Sequence, residues 1–128
     1  NNWWVEGLIG RWVRAVPEKF EPGYYLIDFT GRFGGVRWSK QEHTIRTLGP
    51  QFQRAHEAMV TEAALRVFEA TRERLLFGYY HWGHAANFLG NRVYVGLFHA
   101  EGWFVAYASP LWDGNQLLRV CLLRQFES

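Results

Sequence analysis

The chain has 128 residues, of which 48% are hydrophobic and 18% aromatic, and its formal net charge is +2. This apolar and aromatic content excludes disorder along most of the length, because such a sequence buries a core. The charge is too small to indicate nucleic-acid binding by itself. The single cysteine, Cys121, cannot form an intramolecular disulfide, which favours a reducing compartment.

We expect a soluble, intracellular protein, cytoplasmic or nuclear. No apolar run approaches the roughly 18 residues needed to cross a bilayer, and no signal-peptide pattern is seen. The length fits a single domain, residues 1–128, in three successive parts. These parts are N-terminal strands in residues 1–48, a long helix in residues 50–77 and a β-meander in residues 79–128.

The N-terminal third of the chain predicts β-structure. Leu8–Val16 is rich in β-forming residues and predicts one strand. Tyr24–Thr30 and Phe33–Ser39 are β-prone runs separated by a turn that contains Gly31, and together they predict a hairpin. Residues 40–48 then predict the connection into the helix.

The segment Gln51–Phe77 predicts one long amphipathic helix. Its apolar and small residues recur every three or four positions, which is the spacing of a single buried stripe. The stripe consists of Phe52, Ala55, Met59, Val60, Ala63, Ala64, Val67, Phe68, Thr71 and Leu75. Gly49 and Pro50 supply a cap and a first-turn proline, and Gly78 supplies a left-handed stop. Such a helix would run roughly 40 Å and cross the whole domain.

The C-terminal part predicts the rest of the sheet. Arg92–His99 and Trp103–Ser109 are clear strands joined by a tight turn, and Tyr79–Phe88 predicts a short or irregular strand before them. Gln116–Phe126 is apolar at successive positions, so we expect neither of its faces to meet water. That pattern is typical of an inner strand.

Strands, one helix and further strands in this order predict an α+β fold. We expect an antiparallel sheet of about five or six strands, open or closed into a partial barrel, packed along one long central helix. A single helix can cover only one face of such a sheet. The other face must be covered by other segments or used for binding.

Three histidines near the start of the C-terminal part are candidates for chemistry. His81, His84 and His99 would supply nitrogen ligands for zinc if the loop folded back onto the following strand. The spacing lacks the fixed geometry of a helical zinc motif. We therefore predict no metal site and no cofactor.

Acid–base cleavage of RNA is a second chemical interpretation. His99 and Glu101, with Arg92 or Arg119, have the residue types needed to move a proton and to stabilise a charged phosphorane. Cys121 is a weaker candidate, since its apolar neighbours predict a buried and unreactive thiol. The candidate catalytic residues are His81, His84, His99 and Glu101.

Two stretches resemble parts of known enzyme families. Residues 81–95, HWGHAANFLGNRVYV, resemble the His-containing strand of the lecithin:retinol acyltransferase family, in which the histidine activates a cysteine. The Asn-Cys helix that follows in that family has no counterpart in this chain. Residues 72–78, with EGWFVAYAS and LRVCLL later, are similar in spacing to strands of poly-ADP-ribose polymerase catalytic domains, with Gly78 at the position of the catalytic histidine. Each resemblance covers under half of the chain, and we assign no family.

Aromatic and arginine side chains are crowded in the C-terminal strands. The predicted binding residues are Trp82, Arg92, Tyr94, Trp103, Tyr107, Trp112 and Arg119. A sheet face with these residues suits a protein interface, where Trp, Tyr and Arg dominate the binding energy. It also suits the stacking of single-stranded bases.

The aromatic content favours binding over catalysis. We predict a non-enzymatic interaction module that binds a protein partner or self-associates through this sheet face. A single-stranded RNA-binding domain is the alternative, and a small His-dependent hydrolase or transferase comes third. We expect no membrane partner.

Overall fold

The computed structural model describes residues 3–9, 12–17 and 24–126, with side chains from Tyr25 to Arg124. The elements in this part of the chain are β1 (Trp3–Ile9), β2 (Trp12–Pro17), β3 (Tyr24–Arg32), α1 (Trp38–Thr47), β4 (Phe52–Arg54), α2 (Glu57–Thr71), β5 (Tyr80–Ala86), β6 (Arg92–His99), β7 (Gly102–Ala108) and β8 (Leu118–Phe126). They form an α+β structure with a mostly antiparallel sheet, as predicted.

The strands form a mixed sheet in the order β1-β2-β3-β8-β5-β6-β7, with β4 also paired to β8. Neighbouring strands are antiparallel except for β5 and β8, which are parallel. β8 lies in the middle, as its two apolar faces predicted. Among the described strands β1 and β7 are the two edges, so the sheet stays open and the partial barrel is not confirmed.

Helix α2 lies against both wings of the sheet. It contacts β1 and β2 on one wing and β5 and β6 on the other, so the sheet curls around it. Its buried residues are Met59, Val60, Ala63, Ala64 and Val67. They pack with residues of β3 and β6 in the largest apolar cluster. The middle of the predicted stripe therefore faces the core.

The prediction of one long central helix, Gln51–Phe77, is wrong at both ends. The helix spans the 15 residues Glu57–Thr71, and is therefore about 22 Å long. It begins after His56, whose imidazole Nδ1 accepts a hydrogen bond from the backbone N–H of Ala58 at 3.0 Å. It ends where Arg72 takes a left-handed conformation with a φ of 65°.

The segments that flank α2 have other structures. Phe52–Arg54 forms β4 and pairs with the second half of β8, and Leu75 and Leu76 are buried in a turn after the helix. A short strand and a turn can direct apolar side chains into the same core as the helix. Hydrophobic spacing alone therefore did not show where the helix stops.

Helix α1 was not predicted. It begins at Trp38, within the predicted second hairpin strand Phe33–Ser39, and takes up most of the predicted connection in residues 40–48. The first part of that predicted strand is a turn. Strand β3 pairs instead with β2 and β8. The buried residues of α1 are Gln41 and Ile45, so the helix buries little apolar surface and its sequence is largely polar, as in a connecting loop. The single strand predicted for Leu8–Val16 is also wrong, because β1 and β2 form an antiparallel pair there.

No helix in the described ranges is long and apolar enough to cross a membrane.

Substitutions on α2 test which side of this helix carries the stability. The Met59 side chain is buried, whereas Leu65 on the same helix is exposed. We expect Met59→Ala to lower the free energy of unfolding by about 2–5 kcal/mol, and the control Leu65→Ala to change it by about 0.5 kcal/mol or less. Urea unfolding followed by tryptophan fluorescence measures both. Equal losses for the two variants would contradict this packing.

Candidate functional site

His81 joins three strands in the interior of the protein. Its Nδ1 accepts a hydrogen bond from the backbone N–H of Cys121 in β8 at 2.8 Å. Its Nε2 lies 2.8 Å from the carbonyl oxygen of Ala55, which follows β4. A carbonyl oxygen only accepts, so Nε2 carries the proton and both ring nitrogens are engaged. His81 thus lies at the point along β8 where the strand paired with β8 changes from β5 to β4.

The buried position of His81 also sets its charge. Burial, together with the nearby positive charge of Arg54, lowers the pKa of His81 to about 3. The imidazole is neutral at physiological pH, and neither nitrogen is available for a metal or a substrate. This candidate catalytic residue is a structural element of the sheet.

Arg54 in β4 is the centre of a buried polar network that sequence reasoning missed. Its Nε donates to a carboxylate oxygen of Glu42 at 2.7 Å. One terminal nitrogen donates to the side-chain oxygen of Gln41 at 2.9 Å and to the backbone oxygen of Trp82 at 2.7 Å. The guanidinium lies 4.4 Å from the ring centroid of Trp38. Burial lowers the pKa of Arg54 to about 10, so it stays charged at neutral pH.

Gln41 connects this network to the rest of the sheet. Its amide nitrogen donates to the backbone oxygens of Phe33, after β3, and Leu118, in β8, at 3.1 and 3.0 Å. Its oxygen accepts from Arg54. With both its donor and its acceptor paired, Gln41 can be fully buried without the cost of an unsatisfied polar group.

His84 lies in an irregular part of β5 held by charged side chains. The backbone N–H groups of His84 and Ala85 donate to the Glu57 carboxylate at 2.9 and 3.1 Å. Burial alone would raise the pKa of Glu57, but backbone hydrogen bonds and nearby charge outweigh it, and the pKa is lowered. The His84 Nε2 lies 3.0 Å from the Arg54 carbonyl oxygen, and the His84 carbonyl accepts from Arg92 at 2.6 Å. His84 and Arg92 therefore shape the backbone here.

The four predicted catalytic residues do not converge. His99 ends β6 and Glu101 follows it in the hairpin turn, where the Glu101 N–H donates to His99 Nδ1 at 3.3 Å. That turn is at the opposite end of β6 from Arg92, the strand residue that contacts His84. In the described ranges no group of three or more His, Cys, Asp or Glu residues could hold a metal ion. Cys121 is buried, and burial raises the pKa of its thiol well above the ordinary value.

The predicted binding residues are divided between several environments. Trp82 is fully buried and packs with Tyr94 and Trp38 on one face of the sheet. Trp103 packs against the α2 cluster on the other face, and its indole N–H donates to the Thr61 hydroxyl at 3.1 Å. They do not form one exposed aromatic face.

The remaining predicted binding residues differ in accessibility. The guanidinium carbon of Arg92 lies 4.1 Å from the ring centroid of Trp38. The guanidinium carbon of Arg119 lies 4.8 Å from the ring centroid of Tyr79, and the Arg119 Nε donates to the Gln116 carbonyl at 2.8 Å. Both arginines thus have partners within the chain. Tyr107 and Trp112 are 46% and 49% exposed, so they are the predicted aromatic residues that stay open to a partner.

Tyr107 belongs to an exposed apolar edge strand. In β7, Val105 is 59% exposed and Phe104 is 41% exposed. Val105 pairs with Val95 of β6, and Tyr107 pairs with Val93. Both valines are buried, so Tyr107 and Val105 lie on the same face of the sheet as α2, where the helix no longer covers it. The strand GWFVAYA contains no charged residue and no proline, which are common protections of a free edge.

The backbone of β7 also directs polar groups outward. The Tyr80 N–H donates to the Leu117 carbonyl on the β8 side, so the next residue, His81, directs its N–H and C=O towards β6. His81 lies opposite Val95, which lies opposite Val105. By the alternation of an antiparallel ladder, Val105 therefore directs its N–H and C=O away from β6. Trp103 and Tyr107, two positions before and after Val105, also direct their N–H and C=O away from β6.

Further apolar side chains lie at one end of this strand. Arg92 pairs with Ala108, so the β5–β6 turn and the segment after β7 are at the same end of the sheet. Exposed apolar residues in these two segments are Phe88, Leu89, Leu111 and Trp112. We call Phe104, Val105, Tyr107, Leu111 and Trp112 the apolar edge. Val105 and Leu111 were missed by the sequence interpretation, which considered only aromatic and arginine side chains.

A separate surface cleft of about 510 Å³ lies at the start of α1. It is lined by Val36, Arg37, Ser39, Lys40, His43 and Asp113. Asp113 accepts from the Arg37 side chain at 3.0 Å and so offsets one of the positive charges. Lys40 and His43 are exposed, so the positive charge of Lys40 faces solvent in this cleft.

Comparison of the chain with protein-family models, curated proteins and solved structures finds no match. A function for this chain therefore has to be proposed from the geometry of its described residues.

Acidification tests the structural role of His81. The unfolded chain protonates this imidazole near its ordinary pKa of about 6.5, whereas the folded protein does so near 3. The unfolded state therefore binds more protons between these values. Lowering the pH from 6.5 towards 3 should reduce the free energy of unfolding by up to about 1.4 kcal/mol per pH unit from this group. Two-dimensional ¹H–¹⁵N NMR should show His81 protonated at Nε2 and unchanged from pH 8 to pH 5. A titration near pH 6.5 would contradict the assignment.

Removal of Arg54 tests the buried network. Arg54→Ala leaves Gln41, Glu42 and the Trp82 carbonyl without their donor, so we expect a loss of about 3–5 kcal/mol in the free energy of unfolding. Arg46→Ala is the control, because Arg46 is exposed on α1, and its effect should be about 0.5 kcal/mol or less. Chemical denaturation measures both. Similar small effects for the two variants would mean that the network contributes little stability.

Proposed function

We propose that this chain is a non-enzymatic interaction module that binds an extended, uncharged strand of a protein along β7. The observation that carries the proposal is the exposed centre of β7. Val105 offers both an apolar side chain and an outward-directed backbone N–H and C=O. A strand that added there would satisfy the backbone groups and cover the apolar side chains at the same time.

The energetics favour an apolar ligand. Burial of apolar surface contributes about 25 cal/mol per Å², and the exposed side chains of the apolar edge are large. Leu111 and Trp112 lie in the turn after β7 and are also exposed. Tyr and Trp are common anchors of protein interfaces because they bury much area with few rotatable bonds.

Catalysis by the candidate residues has less support. His81 and His84 are engaged with backbone groups of the fold. His99 and Glu101 lie in a hairpin turn at the other end of β6. General acid–base work needs two groups within reach of one substrate atom, and these residues are not arranged in that way.

RNA binding would use a different surface. Phosphate groups need cations, and β7 has none, whereas the cleft at α1 has Lys40, His43 and Arg37. The pairing of Arg37 with Asp113 reduces the positive charge of that cleft. The uncharged edge therefore makes a protein strand the better-supported ligand.

Proline at position 105 tests strand addition. The Val105 N–H points away from β6, so Val105→Pro removes an edge donor without removing a ladder bond, and proline is tolerated on the open side of an edge strand. We expect a fluorescent, uncharged peptide of alternating Thr and Val to bind the wild type and to bind Val105→Pro at least about tenfold more weakly, which is about 1.4 kcal/mol. Fluorescence anisotropy measures both affinities. Val105→Thr, which keeps the N–H and the β-branch, should bind like the wild type.

A labelled oligouridylate provides the competing outcome in the same assay. The proposal would be contradicted if the peptide did not bind and this single-stranded RNA did. RNA binding at the cleft should fall steeply with salt, be lost in Lys40→Ala and be unaffected by Val105→Pro. Circular dichroism of each variant confirms that the fold is retained before affinities are compared.

A further inference from the structure

We propose that the strand taken up by β7 is β7 of a second copy of this chain, in an antiparallel pair with its two-fold axis at Val105. This inference rests on the proposed function, because it names the partner of the same edge. It predicts a symmetric dimer in which the two sheets become continuous.

The register follows from the position of Val105 in the strand. Val105 is the midpoint of Gly102–Ala108, so a two-fold axis there aligns the whole strand with its copy. The outward-directed backbone groups belong to Val105 and to the residues two positions away, Trp103 and Tyr107. Val105 would face itself and Trp103 would face Tyr107 of the second copy. Residues that face each other with outward backbone groups exchange two hydrogen bonds, which gives about six across the interface.

The side chains are complementary in the same register. The side chains of Val105, Trp103 and Tyr107 lie on the face of the sheet that α2 covers at β6. The two-fold axis therefore places the two Val105 side chains together and each Trp103 beside Tyr107 of the second copy. Such cross-strand pairs stabilise sheets. On the other face, Phe104 would lie opposite Ala106, a large side chain beside a small one.

The charges also allow two identical strands to meet. β7 contains no charged residue, so the axis brings no like charges into opposition. The nearest charged residue, Glu101, would lie opposite Ser109 of the second copy by the same register. Two β7 strands are therefore free of the repulsion that charged edges use against self-pairing.

Symmetry separates this arrangement from other self-pairing. A pair of β7 strands is isologous and closes as a dimer, with both copies of the exposed strand covered. Pairing of β7 with the other edge, β1, would be heterologous and would extend into open chains. The two arrangements predict different masses in solution.

The mass in solution tests the partner. We expect the full chain to sediment at twice the 15.0 kDa of one chain and Val105→Pro to sediment at 15.0 kDa. Val105→Lys is a second variant that keeps the backbone N–H but places like charges opposite each other, and it should also be a monomer. The control Leu65→Lys, on the exposed face of α2, should remain a dimer.

A cysteine cross-link tests the register. Val105→Cys places two thiols directly opposite each other, with Cβ atoms about 5.5 Å apart in a hydrogen-bonded pair. That is wider than an unstrained disulfide spans, so a short bifunctional thiol reagent should give a covalent dimer. Cys121 is buried and should not react. Tyr107→Cys is the matched control, because the register places Tyr107 opposite Trp103 and leaves its two copies far apart. Cross-linking of Tyr107→Cys as fast as Val105→Cys would overturn the register.

The outcomes separate this inference from the proposed function. A dimer covers both β7 strands, so the uncharged peptide must compete with the second copy for β7 and should lower the sedimenting mass of the wild type as it binds. A monomeric wild type that binds the uncharged peptide would overturn the dimer and keep strand addition. A mass that rises without limit with concentration would overturn it in favour of open chains. A dimer that both Val105→Pro and Val105→Lys leave intact would place the interface elsewhere. A monomer that binds no peptide would overturn both proposals.

Discussion

The structure depends on how β8 keeps its backbone paired while it changes neighbours. Along one side, β8 pairs first with β5 and then with β4, and between them lies a gap in the middle of the sheet. His81 fills the gap with its two ring nitrogens, and Arg54 brings charge and five donor groups to the same region. A buried backbone group without a partner is costly, so these two side chains make this sheet order possible.

That structural role determines which residues are left for function. His81, His84, Arg54 and Arg92 are the residue types from which a catalytic site is usually assembled, but here each contacts a backbone carbonyl. Groups held in this way stabilise the fold and have little freedom to take a substrate. Among the described residues, the edge strand β7 is where outward-directed backbone groups and exposed apolar side chains lie together.

The exposed edge follows from the length and position of α2. The helix has 15 residues and lies against β1, β2, β5 and β6. Val93 and Val95 in β6 are buried, but their neighbours in β7 extend beyond the helix and are exposed. An open sheet curled around a short helix has more apolar surface than that helix can bury. A partner strand would bury the remainder.

The sequence by itself determined the α+β class, the strands β6, β7 and β8, and the buried middle of α2, because each of these depends on local hydrophobic spacing. It also predicted Tyr107 and Trp112 as binding residues, and both are exposed in the structure. Only the tertiary structure decided that β4 precedes α2, that α1 exists and how His81 and Arg54 are used, since these depend on hydrogen bonds between residues distant in the chain. It also decided that β7 is an edge. Strand order is set by long-range pairing, and no local pattern in GWFVAYA reports how many neighbours that strand will have.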